Sequence, residues 1–274
     1  MIDSQAITEL TIGMGPAGEL RYPSYPEGDG RWRFPGVGEF QCYDRYMLAD
    51  LRRAAETAHR PEWGLSGPHD AGNYNSRPWE TAFFVSQGGS WDTEYGRFFL
   101  GWYSDALLRH AERLLSVSYS VLNHGQLPRR CVQVKQEDRG EGITYTFEPV
   151  RAARQAWWPS CAAAGADVPL VRSPQPCKLG IKLAGVHWWF KSRAHAAELT
   201  AGYYNTRDRN GYEPIIKLLQ KYDARLNFTC VEMRDCEHPP EGRCSPQGLL
   251  EQIIETTEAS GGGEGADVRS VVGL

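Results

Sequence analysis

No apolar run in the sequence approaches the ~18 residues that a membrane-spanning helix needs, so a transmembrane protein is not expected. A basic surplus is missing too. Lys and Arg number 30 against 34 Asp and Glu, for a formal net charge of −4, and no positive field calls for a nucleic-acid partner. Cysteine is present without pattern. There are 7, at positions 42, 131, 161, 177, 230, 236 and 244, with no CxxC pair among them. That odd set disfavours a disulfide framework or a zinc site, and suits small buried or free thiols in a reducing compartment. The opening MIDSQAITELTIGMG has neither a basic start before an apolar stretch nor an Arg/Ser-rich amphipathic leader. No signal or transit peptide is expected in it, and a leader in upstream sequence is left open.

What is there is an ordinary globular composition with an aromatic surplus. Hydrophobic residues make up 41 % and charged residues 23 % of 274 positions, enough for one large domain or two small ones. The 9 Trp and 13 Tyr offer flat faces with polar edges, on which sugars stack, although packing is the commoner use of such rings.

Periodicity gives a coarse order of elements. Residues 6–13, AITELTIG, alternate as a strand that Gly13, Gly15 and Gly18 then break. Apolar spacing of three and four predicts an amphipathic helix over 41–58. Residues 59–92 read as loop, and 93–122 as strongly helical with room for one break. Residues 177–190 give a short apolar strand and a turn, 195–204 and 211–222 give helices, and 224–233 another strand. Ser245 and Pro246 suit the N-cap and first position of a helix reaching about residue 259. ASGGGEGAD reads as a loop, and DVRSVVGL opens one more strand.

Strands alternating with helices predict an α/β fold with a parallel sheet or barrel. About four strand starts are visible, half of the eight that close a barrel. Residues 123–176 fit badly, because they show no clean period and carry Trp157–Trp158 and an Ala-rich patch. A structureless loop of that length is unusual inside a compact domain. The segment reads equally as an insertion or as translated non-coding sequence.

One motif invites a nucleotide-binding reading. Gly13-Met14-Gly15-Pro16-Ala17-Gly18 matches GxGxxG after a strand. That fingerprint also needs a helix to begin within it, and Pro23 and Pro26 in the following stretch block one. Read instead as strand, turn and loop, the stretch sets Glu19 just past a strand's C-terminal end, where α/β barrels keep catalytic groups. Arg21, Tyr22 and Tyr25 lie close in sequence. A Glu shielded among aromatic rings is suited to hold a proton as a general acid, although an ordinary loop carboxylate has the same signature.

Longer blocks narrow the choice. GPAGELRYPSYP at 15–26 and FPGVGEFQCYDRYM at 34–47 resemble the catalytic-acid region of the β-amylases. KLAGVHWWF at 182–190, HAAELTAGYYN at 195–205 and LNFTCVEMRD at 226–235 resemble the same family in the same order, as do DAGNYN at 70–75 and FFLGWYSDALLRHAERLL at 98–115. The resemblance covers most of the chain except 123–176 and the glycine-rich run. It implies an incomplete (β/α)8 TIM barrel, holding about the middle to later βα units. The whole of 1–274 would then be one partial catalytic domain with an atypical insertion at about 123–176.

The resemblance also implies a chemistry. The family hydrolyses α-1,4-glucans such as starch with inversion, releasing maltose from non-reducing ends, and implies no metal or organic cofactor and no nucleic-acid or membrane partner. Glu19 falls on the family's proton donor. Lys182 and His187 fall on substrate-contacting positions, where each would donate to sugar hydroxyls, with Trp188 beside them as a stacking face. Thr229 falls on the mobile inner loop Asn227–Cys230, where its hydroxyl would position the catalytic water or hold product. Tyr25 and Trp32 would line the cleft. Each has a plainer alternative: a solvated strand-end lysine, a satisfied core histidine, an aromatic packing cluster. Glu39, Glu198, Glu232 and Asp235 read as paired structural carboxylates.

The resemblance has gaps. The family's second carboxylate follows a stretch like DVRSVVGL, and the sequence stops at Leu274, so no general base is assigned. The family's N-terminal portion, with its first strands and a closing lid, has no counterpart. An open half-barrel exposes strand edges and apolar faces, so residues 1–274 alone are expected to fold poorly and to show no hydrolysis. A non-catalytic glucan-binding relative is the competing expectation. A downstream glutamate followed by Asn-Ala would favour the enzyme. By resemblance the compartment is plastid or cytosol.

Overall fold

The computed structural model describes residues 9–124, 132–138, 143–149 and 178–260 of the chain. The first strand, β1 (Glu9–Ile12), falls inside the predicted one. Helix α1 (Arg45–Thr57) starts where the Asp44 carboxylate accepts the Tyr46 and Met47 N–H groups at 2.8 and 3.2 Å, a side-chain N-cap. It buries Leu51 and Ala55, four apart on one face. Residues 59–92, read as loop, contain three short 3-10 turns, at Pro61–Gly64, Pro78–Glu80 and Ser90–Asp92.

Helix α2 (Glu94–His124) runs without the break that the sequence left room for. Phe99, Tyr103, Leu107, Ala111 and Leu115 recur every four residues and are all buried, which keeps one stripe in the core. The stretch after it, unassigned from sequence, contains an antiparallel hairpin, β2 (Val132–Asp138) with β3 (Ile143–Pro149), in register from Val132↔Pro149 to Asp138↔Ile143. It forms its own sheet.

The second sheet is parallel, in the order β1-β4-β5, with β4 (Lys178–Leu183) between β1 and β5 (Ala224–Phe228). Helices α3 (Ala196–Ala201) and α4 (Glu213–Lys221) lie between β4 and β5, and α5 (Pro246–Ser260) follows β5. The first residue of α5 is Pro246, as its sequence signals predicted. Side chains alternate across a sheet. One face carries Ile12, Leu179, Ile181, Leu183, Leu226 and Phe228 into the core. The other face carries Glu9, Thr11, Lys182, Arg225 and Asn227. Full burial of each aliphatic side chain contributes about 1.5–3 kcal/mol, so the covered face holds the elements together.

The polar face is wired across all three strands. The Glu9 carboxylate accepts from Asn227 Nδ2 at 2.9 Å and lies 3.3 Å from Arg225 Nη1, spanning β4 between them. A Cβ on the intervening Gly180 would come 2.2 Å from Glu9 Oε1, so glycine there lets the carboxylate cross where it stands. Among the described residues no helix is long and apolar enough to cross a membrane. The predicted strand at DVRSVVGL lies outside the described residues.

Candidate active site

Residues 13–18 leave the sheet and return to it in one step. Met14 N–H donates to Gly18 O at 3.1 Å and Gly18 N–H to Gly15 O at 2.9 Å, closing a compact loop with a single 3-10 turn, Pro16–Gly18. No α-helix begins within GxGxxG, so no helix N-terminus faces a pyrophosphate there. The last rung of β1 with β4 is Ile12↔Ile181, and the next, after the loop, is Glu19↔Lys182. Leu20 N–H donates to Lys182 O at 2.8 Å and fixes that return. Glu19 thus sits one rung past the C-terminal end of β1, on the same face as Lys182.

Glu19 is 8 % exposed, and its carboxyl group is held by cations. Arg21 Nε donates to Glu19 Oε2 at 2.7 Å, and Lys182 Nζ lies 3.8 Å from Oε1. Lys182 Nζ also donates to Ala17 O at 3.4 Å. The sequence led us to expect aromatic rings around Glu19. Arg21 also meets one of them, its guanidinium lying 4.0 Å over the Tyr25 ring, and Tyr25 and Tyr203 both lie within electrostatic reach of Glu19. Arg21 was not singled out from sequence. Its signal was the spacing: residues two apart on an extended segment share a side.

Tyr25, Trp32 and Trp188 form one cluster, with ring centroids 4.8 to 5.5 Å apart. Trp32 and Trp188 both donate their indole N–H to Gly36 O, at 3.0 Å each, so one carbonyl orients two rings. Tyr25 and Trp188 are buried and Trp32 is half-buried. Burial pushes the Tyr25 hydroxyl well above its ordinary range, so it stays a neutral hydroxyl.

His187 and Thr229 meet at Gly185. Gly185 N–H donates to Thr229 Oγ1 at 2.7 Å, and His187 Nδ1 lies 2.7 Å from Gly185 O. A side chain at position 185 would strike Cys230, whose Sγ would stand 2.7 Å from the Cβ. A carbonyl can only accept, so Nδ1 carries the proton. Burial lowers the His187 pKa, against the opposing pull of that carbonyl, and keeps the ring neutral. Its Nε2 is therefore a lone pair. The expectation that His187 donates does not fit this tautomer, in which Nε2 can only accept.

The two groups are joined through the ring cluster: His187 stacks edge-on against Trp188 at 5.8 Å, Trp188 meets Tyr25, and Tyr25 lies under Arg21. Beneath them the buried Tyr203 hydroxyl donates to Leu20 O at 2.6 Å and accepts Ala184 N–H at 3.2 Å. It ties the roots of the Glu19 and His187 segments, and sequence reasoning missed it. Of the four carboxylates read as structural, Glu198 is fully buried against Tyr212, Asn205 and His195. Glu39 accepts Tyr74 N–H, and Asp235 pairs with Lys191 at 2.8 Å. Glu232 is exposed instead of buried.

The model of the family described as glycosyl hydrolase family 14 matches residues 2–129 and 164–268. A chloroplastic β-amylase 1 of Oryza sativa subsp. japonica is 47 % identical over 94 % of this chain and 39 % of its own length. The chloroplastic β-amylase 1 of Arabidopsis thaliana is 44 % identical over 93 % of this chain and 36 % of its own. The β-amylase of Glycine max is 42 % identical over 92 % and 40 %. The chain thus spans about two fifths of the length of these curated relatives. The crystal structure of the catalytic domain of a β-amylase from Paenibacillus polymyxa matches with a TM-score of 0.62 at 22 % identity, over 94 % of this chain and 50 % of that one, which shows the fold.

Proposed function

The chain belongs to glycosyl hydrolase family 14, and from that membership we propose that it supplies the proton-donating half of a β-amylase active site. The reaction is inverting hydrolysis of α-1,4-glucosidic links in starch-like glucans, with maltose leaving the non-reducing end. Glu19 passes a proton to the glycosidic oxygen as its bond to the anomeric carbon breaks. Water attacks that carbon from the opposite face and gives its proton to a second carboxylate. Inverting glycosidases hold the two carboxyl groups about 6.5–9.5 Å apart to seat the water. On this reading the second one comes from outside the described residues, as do the strands that complete an eight-stranded barrel.

The observation that carries the proposal is the rung Glu19↔Lys182. It brings the acid and a cation together past the carboxyl ends of parallel strands, where barrel enzymes do their chemistry. Lys182 donates to a sugar hydroxyl, and His187 accepts from one through Nε2. Thr229, its oxygen held by Gly185 N–H, keeps its own O–H free to donate to water or product. Trp32, Trp188 and Tyr25 offer the ring faces of the cleft. Residues 123–176 are an insertion within the one catalytic domain, supported by a family match that skips 130–163.

Glu19→Gln in the full-length protein tests the proposal, because it keeps the shape and removes the proton. Maltose release is expected to fall about 10²–10⁴-fold, with circular dichroism and glucan binding unchanged. Undiminished turnover would assign the acid elsewhere.

A further inference from the structure

One cluster shares His187 with the site and adds two residues that this chemistry leaves unused, His238 and Cys244. His187, His238 and Cys244 come together so that one donor atom from each lies within 4.8 Å of the others. Nitrogen and sulfur ligands of tetrahedral zinc stand about 3.4–3.6 Å apart, given bonds of about 2.0–2.3 Å, so side-chain rotation of little more than an ångström closes the gap.

Several independent features prepare it. Backbone hydrogen bonds from Trp189 to Gly242 (2.7 Å), from Lys191 to Arg243 (3.0 Å) and from Ser245 to His187 (3.0 Å) lace segment 187–191 to segment 242–245. The frame that presents His187 and Cys244 is therefore fixed without a ligand. His187 Nδ1 donates to Gly185 O, which leaves Nε2 as the free donor atom; metal-binding histidines are oriented by such a bond on the other nitrogen. His238 Nε2 is buried and has no hydrogen-bond partner among the described residues, and its ring lies 4.3 Å from that of His187. The Cys244 side chain is buried and free of any disulfide.

The geometry points to a binding site for a borderline-soft divalent cation, zinc above all, held by His187, His238 and Cys244, whose occupation excludes glucan from the cleft. Two imidazoles and a thiolate select such a cation over magnesium or calcium, which prefer oxygen. Binding replaces the thiol proton of Cys244 with the metal–sulfur bond and releases that proton to solvent. The His187 Nε2 lone pair would then be committed to the metal and could not accept from a sugar hydroxyl. That exclusion, unlike the metal site itself, rests on the function proposed above.

Cobalt(II) added to the full-length protein is the probe, because a thiolate ligand gives it a charge-transfer absorption. The expected result is saturation at one equivalent, loss of the band in Cys244→Ser, and about tenfold or more weaker binding in His238→Gln. Cys236→Ser, at an exposed thiol outside the cluster, should leave the band unchanged. Zinc should also shield Cys244 of the unmodified protein from alkylation, read by mass spectrometry, which keeps the test valid if the serine variant misfolds. No band, or a band that survives Cys244→Ser, overturns the site and leaves the hydrolase reading untouched. Maltotriose is expected to weaken cobalt binding about tenfold at a saturating dose. Cobalt binding indifferent to maltotriose overturns the exclusion alone.

Discussion

The two faces of the β1-β4-β5 sheet come from the same three strands and do opposite work. Ile12, Leu179, Ile181, Leu183, Leu226 and Phe228 make one face apolar and pack it into the core. Glu9, Thr11, Lys182, Arg225 and Asn227 make the other polar and wire it with ion pairs and amide bonds, and the rung Glu19↔Lys182 continues that face into the candidate site. The period-two alternation of a strand places stability on one side and chemistry on the other. A substitution on the apolar face should therefore lower stability first, and one at the rung Glu19↔Lys182 should lower activity first.

The sharpest way to break this comparison is to set Glu19→Gln against Ile181→Ala. The first should remove about 10²–10⁴-fold of maltose release, with any loss of unfolding free energy coming from its ion pair with Arg21 and none from packing. The second deletes a fully buried side chain of the central strand and should cost about 2–5 kcal/mol by denaturant unfolding. If Ile181→Ala were neutral, the apolar face would not be the one that holds the fold. A smaller effect should follow Gly180→Ala, whose new Cβ makes the flexible Glu9 carboxylate move and should cost about 1 kcal/mol. Adding Glu9→Ala should recover part of that loss, since the clash is with that carboxylate; no recovery in the double-mutant cycle would mean that the strain lies elsewhere.

The least effect is a pH dependence. Burial lowers the folded-state pKa of His187 below its ordinary value of about 6.5. The unfolded chain then binds more protons between the folded pKa and that value, so stability falls as pH drops through that window. His187→Gln should flatten this acid limb slightly in unfolding curves measured across it. An unchanged slope would mean that the ring is not held neutral by its surroundings.

Much of this was legible in the sequence where local signals were strong. Pro23 and Pro26 after the glycine motif ruled out a nucleotide helix and left Glu19 at a strand tip, which is where it stands. Ser245–Pro246 marked the start of α5, and the strongly helical reading of 93–122 marked α2. Contacts across long stretches of chain were not legible. Nothing local says that β1 pairs with β4, some 170 residues away. The tautomer of His187 depends on a carbonyl brought round by the turn at Gly185, and the approach of His238 and Cys244 depends on two segments laced together. Unpatterned cysteines argued against zinc for that reason: spacing reveals a metal site only when its ligands are neighbours in sequence. The hairpin at 132–149 was missed because each of its strands alternates for only a few residues inside a stretch of otherwise unpatterned composition.

The Tyr203 hydroxyl, bonded to Leu20 O on one side and Ala184 N–H on the other, makes the two halves of the cleft mechanically dependent. A shift of the segment rooted at Ala184 would reach Leu20, the residue next to Glu19, through one phenol. Glu19 and the Trp188 wall thus hang from one pivot, like jaws on a shared axle.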